Sequence, residues 1–133
     1  MSDSKRDKDL QRNKPQQKGL KRIYNAFFYS IDGFRAAFYD EAAFRQICAL
    51  CVICIPLGVF IARDWVELVI LLLPCFLALI VELFNSAIES AIDYISKDIH
   101  PLAKKAKDMG SAAQFCVLLF WAIVWGSYGI YRL

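Results

Sequence analysis

The chain has 133 residues, of which 58% are hydrophobic and 22% charged, with a formal net charge of +3. A soluble domain of this size would struggle to stay dissolved at that apolar content, so composition excludes an ordinary globular fold and points to one small domain in a bilayer. The basic residues have no zinc, RNA-recognition or leucine-zipper framework around them, and the aromatics sit mostly in apolar runs, so no nucleic-acid partner is expected.

Residues 1–18 are polar and charged, contain Pro15 and show no apolar repeat, so they read as a flexible tail outside the mechanism. The single domain is expected over residues 19–133. From Gly19 to about Asp40, Ile23, Ala26, Phe27, Ser30, Ile31, Phe34 and Phe38 recur at three- and four-residue steps, with Lys21, Arg22, Asp32 and Arg35 elsewhere. That pattern predicts an amphipathic helix suited to a membrane surface.

The first span is expected at about 46–62, where Ile47 to Ala62 is uncharged and, with its flanks, approaches the roughly 20 residues needed to cross a bilayer. Arg63 and Asp64 make a short polar turn. A second span runs over 65–93 including a cytoplasmic extension, with Glu67 at its entry and Glu82 near its exit from the apolar run. A third span, 112–131, is uncharged and ends in Trp125, Tyr128 and Tyr131, as suits an interface. Pro56 and Pro74 lie inside the first two spans, where neighbouring helices can satisfy the backbone groups they free. The predicted fold class is an all-α membrane protein with three transmembrane helices and one N-terminal surface helix.

Three crossings place the tail and the loop from about Tyr94 to Ser111 on one side, and the turn near residue 63 and the C-terminus on the other. Ten of the sixteen Lys and Arg residues lie in the first 45 positions, and Lys97, Lys104, Lys105 and Lys107 fill the loop, against Arg63 and Arg132 opposite. The positive-inside rule therefore puts the tail and loop in the cytoplasm. All five cysteines, Cys48, Cys51, Cys54, Cys75 and Cys116, fall in apolar stretches and read as small buried hydrophobes. Cys48, Cys51 and Cys54 repeat at helical spacing, but the one histidine, His100, is distant, so a thiolate metal site is not expected.

Glu82, Asn85, Ser86, Glu89 and Asp93 are spaced to share one face of a continuous helix at about 100° per residue. Carboxylates in or near a bilayer are unfavourable, which makes them functional candidates. The same spacing also fits a helix-packing seam hydrogen-bonded through Asn85 and Ser86, and spacing alone does not choose between the two. Phosphoryl transfer from ATP needs a divalent cation, a positive group on the phosphates and a base or orienting group for the attacking hydroxyl. Glu41 and Glu89 can supply oxygen ligands for Mg2+, Lys107 and Arg22 can meet phosphates, and Glu82 lies deepest. No glycine-rich phosphate loop is present in the sequence.

Three segments, Glu41-Ala-Ala-Phe-Arg-Gln46, Val81-Glu-Leu-Phe-Asn-Ser-Ala-Ile-Glu89 and Ala106-Lys-Asp-Met-Gly-Ser-Ala-Ala113, resemble the prokaryotic diacylglycerol kinase family from about Gly19 onward. The resemblance implies a homotrimer with active sites shared between subunits, in the bacterial inner membrane, converting diacylglycerol and ATP to phosphatidic acid. It gives Glu82 the role of catalytic base, Asn85 a supporting role, and Glu41 and Glu89 that of metal pair, which also contacts ATP. It further implies ATP contacts from Arg22, Tyr29, Asp98, Ile99, His100, Lys107 and Asp108. Arg22, Ser30, Gly33, Arg35 and Ser111, with Glu82, come near the lipid and the site wall. Ile47 stands where many family members have an acid, and His100-Pro-Leu-Ala-Lys-Lys is similar to the related undecaprenol kinases, so undecaprenol is the alternative acceptor. A small oligomeric channel lined by the polar stripe is the alternative of another class.

Overall fold

The structure, a computed structural model, describes residues 19–95, 98 and 100–132. The polar tail expected at 1–18 lies outside them. Among the described residues all regular structure is helical: α1 Leu20–Asp40, α2 Ala42–Ile61, α3 Trp65–Ile95 and α4 Pro101–Arg132. The last three are long and apolar enough to cross a membrane. At 1.5 Å per residue, α2 matches a hydrocarbon core of about 30 Å, whereas α3 and α4 reach on the order of 45 Å and must extend beyond it. Their surplus length carries Glu89 and Asp93 at the end of α3 and Lys104, Lys105, Lys107 and Asp108 at the start of α4.

α1 straddles two compact units that divide between Gly33 and Phe34. In the first, Gly19 adopts φ 73°, a left-handed turn that a residue with a Cβ enters only with strain, and its carbonyl accepts from the Arg22 N–H at 3.0 Å to open the helix. Tyr24 packs on Phe28 at a centroid separation of 4.8 Å, and Phe27 meets Phe28 edge-on at 5.8 Å.

In the second unit α3 is central, packed on one side by α2 and on the other by α4. Ile47, Cys51 and Cys54 of α2 meet Cys75 and Ala78 of α3, and Val117, Leu118, Trp121 and Trp125 of α4 close over them. Small residues on facing positions let the helix backbones approach, which is what holds helices together where lipid offers no hydrophobic gain. Both prolines are accommodated, since α2 runs unbroken through Pro56 and α3 through Pro74. One residue along from the carbonyl that Pro74 leaves without a helical donor, the Leu71 carbonyl accepts from Trp125 Nε1 at 3.1 Å.

The structure departs from sequence expectation in two places. The loop expected from Tyr94 to Ser111 is largely helix, because α4 begins at Pro101. Proline suits the first helical position, His100 Nδ1 accepts from the Leu102 N–H at 3.2 Å as a cap, and Lys104 pairs with Asp108 at 2.5 Å one turn on. Hydropathy does not see this start, since the first turns of α4 are charged. Cys116 is exposed on an outward face of α4, unlike the buried Cys51, Cys54 and Cys75, with Cys48 intermediate.

At the end away from the acidic stripe, Glu67 gathers the termini of three helices. Its Oε2 accepts from the Arg63 N–H and Tyr128 Oη, both at 2.9 Å, and pairs with Arg132 at 2.5 Å. Tyr128 Oη also meets the Ile61 carbonyl at 3.0 Å, and Asp64 caps α3 by accepting from the Glu67 N–H at 2.9 Å. Glu67→Leu is expected to lower stability by about 1–3 kcal/mol, because it leaves part-buried donors without an acceptor. A thermal melt in detergent micelles checks this, and an unshifted midpoint would show that the cluster is not holding the ends.

Candidate active site

The buried face of α3 changes character along its length. Leu71, Cys75 and Ala78 are completely buried and apolar, and the same face continues one turn at a time into Glu82, 2% exposed, and Ser86, 7% exposed. Beyond them Asn85 and Glu89 are part-buried and Asp93 is exposed. The stripe predicted from spacing is thus graded from a shielded carboxylate to a solvated one. It is buried as a packing seam at Glu82 and Ser86, although Ser86 Oγ makes no hydrogen bond across it.

Glu41 reaches this place from the α1–α2 junction. Its N–H bonds to the Ala37 carbonyl at 3.0 Å, and it occupies the N-cap of α2 with an extended backbone, φ −111° and ψ 114°, yet its side chain makes no capping hydrogen bond. Its carboxylate is therefore not spent on the helix end. The surrounding motif secures the backbone instead: Phe44 is 2% exposed and meets Phe34 at 6.2 Å, and Arg45 Nη1 donates to the Phe38 and Tyr39 carbonyls at 2.9 and 3.0 Å. These guanidinium bonds satisfy carbonyls that the end of α1 would otherwise leave open.

The charges of Glu89 and Glu41 both act on Glu82, and Asn85 hydrogen-bonds near it. Asn85 Nδ2 also donates to Glu89 Oε1 at a long 3.4 Å, a contact that holds Glu89 only loosely. Lys107 of α4 pairs with Asp93 at 2.6 Å and feels the charge of Glu89. Four carboxylates, Glu41, Glu82, Glu89 and Asp93, and the Lys107 ammonium are thus collected where α3 and α4 leave the apolar zone. Among the described residues no three His, Cys, Asp or Glu side chains form a ready-made metal cage. A site with two available carboxylates fits Mg2+, which takes one or two and fills its remaining positions from phosphate and water.

Asn85 is set by close helix approach. A Cβ built on Gly110 would collide with Asn85 Oδ1 and stand 3.2 Å from its Cγ. Gly110→Val should push the Asn85 amide away from Glu82 and lower turnover by about tenfold or more, since misplacement of about 1 Å can cost 10²-fold. Steady-state kinetics with an intact melt checks this, and wild-type turnover would show that Asn85 needs no such fit.

The remaining predicted residues are distributed as follows. Arg22, Tyr29, Ser30 and Gly33 lie in the first unit, exposed along α1, with Ser30 Oγ bonded to the Ala26 carbonyl at 2.9 Å. Arg35 is exposed on the second-unit part of α1, Asp98 is exposed beyond α3, and Ile99 lies outside the described residues. His100 is engaged as the cap of α4, Asp108 is paired with Lys104, and Ser111 is exposed on the helix rather than in a loop. Sequence reading missed Arg45 as a clamp, Asp93 as the partner of Lys107, and Gln114, a buried amide one turn beyond Gly110. The signal for Gln114 was present, for it is the sole amide in an otherwise apolar run.

Comparison with known proteins gives consistent relatives. Residues 28–128 match the family described as Prokaryotic diacylglycerol kinase. The chain is 53% identical over 114 residues to a diacylglycerol kinase of Helicobacter pylori, covering 86% of this chain and 89% of that protein. It is similar to the Pseudomonas aeruginosa diacylglycerol kinase at 51% over 111 residues, covering 84% and 90%, and to that of Escherichia coli K12 at 39% over 107 residues, covering 80% and 88%.

Proposed function

Because the chain belongs to the prokaryotic diacylglycerol kinase family, a family of lipid kinases, we propose that it transfers the γ-phosphoryl group of Mg-ATP to the hydroxyl of diacylglycerol, giving phosphatidic acid and ADP. The observation that carries the assignment is the shielded Glu82 at the end of an apolar helix face, with Glu41 and Glu89 acting on it. A carboxylate there has no packing use that an apolar residue would not serve better, and its location favours an acceptor delivered from the bilayer.

In this mechanism Glu82 takes the proton of the lipid hydroxyl as its oxygen attacks the γ-phosphorus, and the bond to the β-phosphate oxygen breaks to release ADP. Lys107 turns from Asp93 to the phosphates. Asn85 orients Glu82, and Glu41 and Glu89 would hold Mg2+. The cation would neutralise charge on the phosphate oxygens as it shifts toward the leaving ADP. Arg22, Tyr29, Asp98, His100 and Asp108 are assigned to ATP, and Ser30, Gly33, Arg35 and Ser111 to the lipid and site wall, on the family resemblance.

The lysine-rich end faces the cytoplasm of the inner membrane, where ATP is, and the C-terminus lies opposite. The amphipathic pattern of α1 suits a membrane surface, and on the family resemblance three copies share their sites. The exposed Phe76, Phe84, Phe115 and Ile123 give the spans apolar outer faces that suit lipid and neighbouring copies alike. The test is ADP release by purified protein in mixed micelles. We expect it to require diacylglycerol and Mg2+ together and to yield phosphatidic acid, with diacylglycerol outcompeting undecaprenol. Lipid-independent ion flux without ADP release would favour a pore, and preference for undecaprenol would move the acceptor to the polyprenols.

A further inference from the structure

Gln114 has no task in the phosphoryl-transfer scheme, yet its position is costly. It is 8% exposed within an apolar helix, and neither its Nε2 nor its Oε1 has a hydrogen-bond partner. Ser86 Oγ and Asn85 Oδ1, on the facing helix, are also buried and unpartnered. Polar groups left so in an apolar setting are unfavourable and rare in native proteins, so the amide at this position is open to a partner from outside the helix pair.

The register between α3 and α4 gives its depth. Gly110 abuts Asn85 at one level, and Trp125 bonds the Leu71 carbonyl at another, so steps toward the C-terminus of α4 match steps toward the N-terminus of α3. One turn beyond Gly110, Gln114 is therefore level with Glu82, which lies three residues before Asn85. The amide and the proposed base stand at the same depth of the same helix pair.

We infer that Gln114 is a specificity-determining residue whose side-chain N–H donates to an ester carbonyl of the acceptor lipid, beside the hydroxyl that Glu82 deprotonates. The inference rests on the lipid kinase reading and names the acceptor class it selects. A diacylglycerol carries ester carbonyls within a few bonds of its hydroxyl, whereas a polyprenol surrounds its hydroxyl with hydrocarbon. A site built to hydrogen-bond a substrate group discriminates against an analogue lacking it, because the protein group is then left unpaired.

The experiment measures kcat/KM for diacylglycerol and for the dialkylglycerol ether of the same chains, in mixed micelles, for wild type, Gln114→Leu and Gln114→Met. Wild type is expected to favour the ester by about tenfold or more. In both variants the loss should fall on the ester, bringing the ester-to-ether ratio close to one. A ratio that stays at the wild-type value would overturn the assignment and leave a water molecule or a neighbouring helix as the partner of Gln114. Equal losses on both lipids would overturn it in favour of a structural role. A wild type that prefers neither lipid while phosphorylating both overturns Gln114 alone, whereas one that phosphorylates neither overturns the diacylglycerol kinase reading itself.

Discussion

Glu82→Gln is expected to lower kcat by about 10²- to 10⁴-fold, the range for loss of a positioned general base, while the helical content and thermal midpoint stay near wild type. Glutamine keeps the shape of the side chain and can still hydrogen-bond to Asn85, but it cannot accept the hydroxyl proton. Folding should tolerate the change because removing a charge from a position 2% exposed relieves desolvation instead of adding to it. The fall should appear in kcat more than in KM for either substrate, since the proton is transferred only as the transition state forms. Lipid-dependent ADP release checks it, and turnover within a few-fold of wild type would take the base assignment away from Glu82.

The features that the sequence made legible are those written in local periodicity. Helix α1 over Leu20–Asp40 and the span at Ala42–Ile61 follow from three- and four-residue repeats and from an uncharged run of the length of a bilayer. The alignment of Glu82, Asn85, Ser86, Glu89 and Asp93 on α3 is likewise a matter of spacing along one helix. What sequence did not show are contacts between distant positions. Lys107 finds Asp93 and Arg132 finds Glu67 only because α3 and α4 run antiparallel in a particular register. Tyr128 suits an interface by its place in the sequence, but nothing local shows that its hydroxyl ties the end of α2 to Glu67. The early start of α4 escaped hydropathy because its first turns are stabilised by a proline, a cap and an ion pair, none of which is apolar.

Glu41→Gln and Glu89→Gln should each raise the Mg2+ concentration for half-maximal activity by at least about tenfold, a lower bound taken from the loss of residues that merely support a metal ligand. Neither change should much affect the fold. The Glu41 side chain makes no capping bond, and Glu89 accepts one long bond from Asn85 that glutamine can keep. The two residues come from different helices, so their shared use of one cation makes a stronger prediction than either alone. If both bind the same ion, the first substitution already weakens the interaction that the second would remove, and the double variant should lose less than the product of the single losses. Multiplicative losses would instead mean that the two carboxylates act independently. A magnesium titration of saturating ATP and lipid distinguishes these outcomes, and curves that overlay wild type for both single variants would reduce Glu41 and Glu89 to structural residues. Glu82 would then be the one carboxylate of the three with a chemical role, facing a cation held by the phosphates alone.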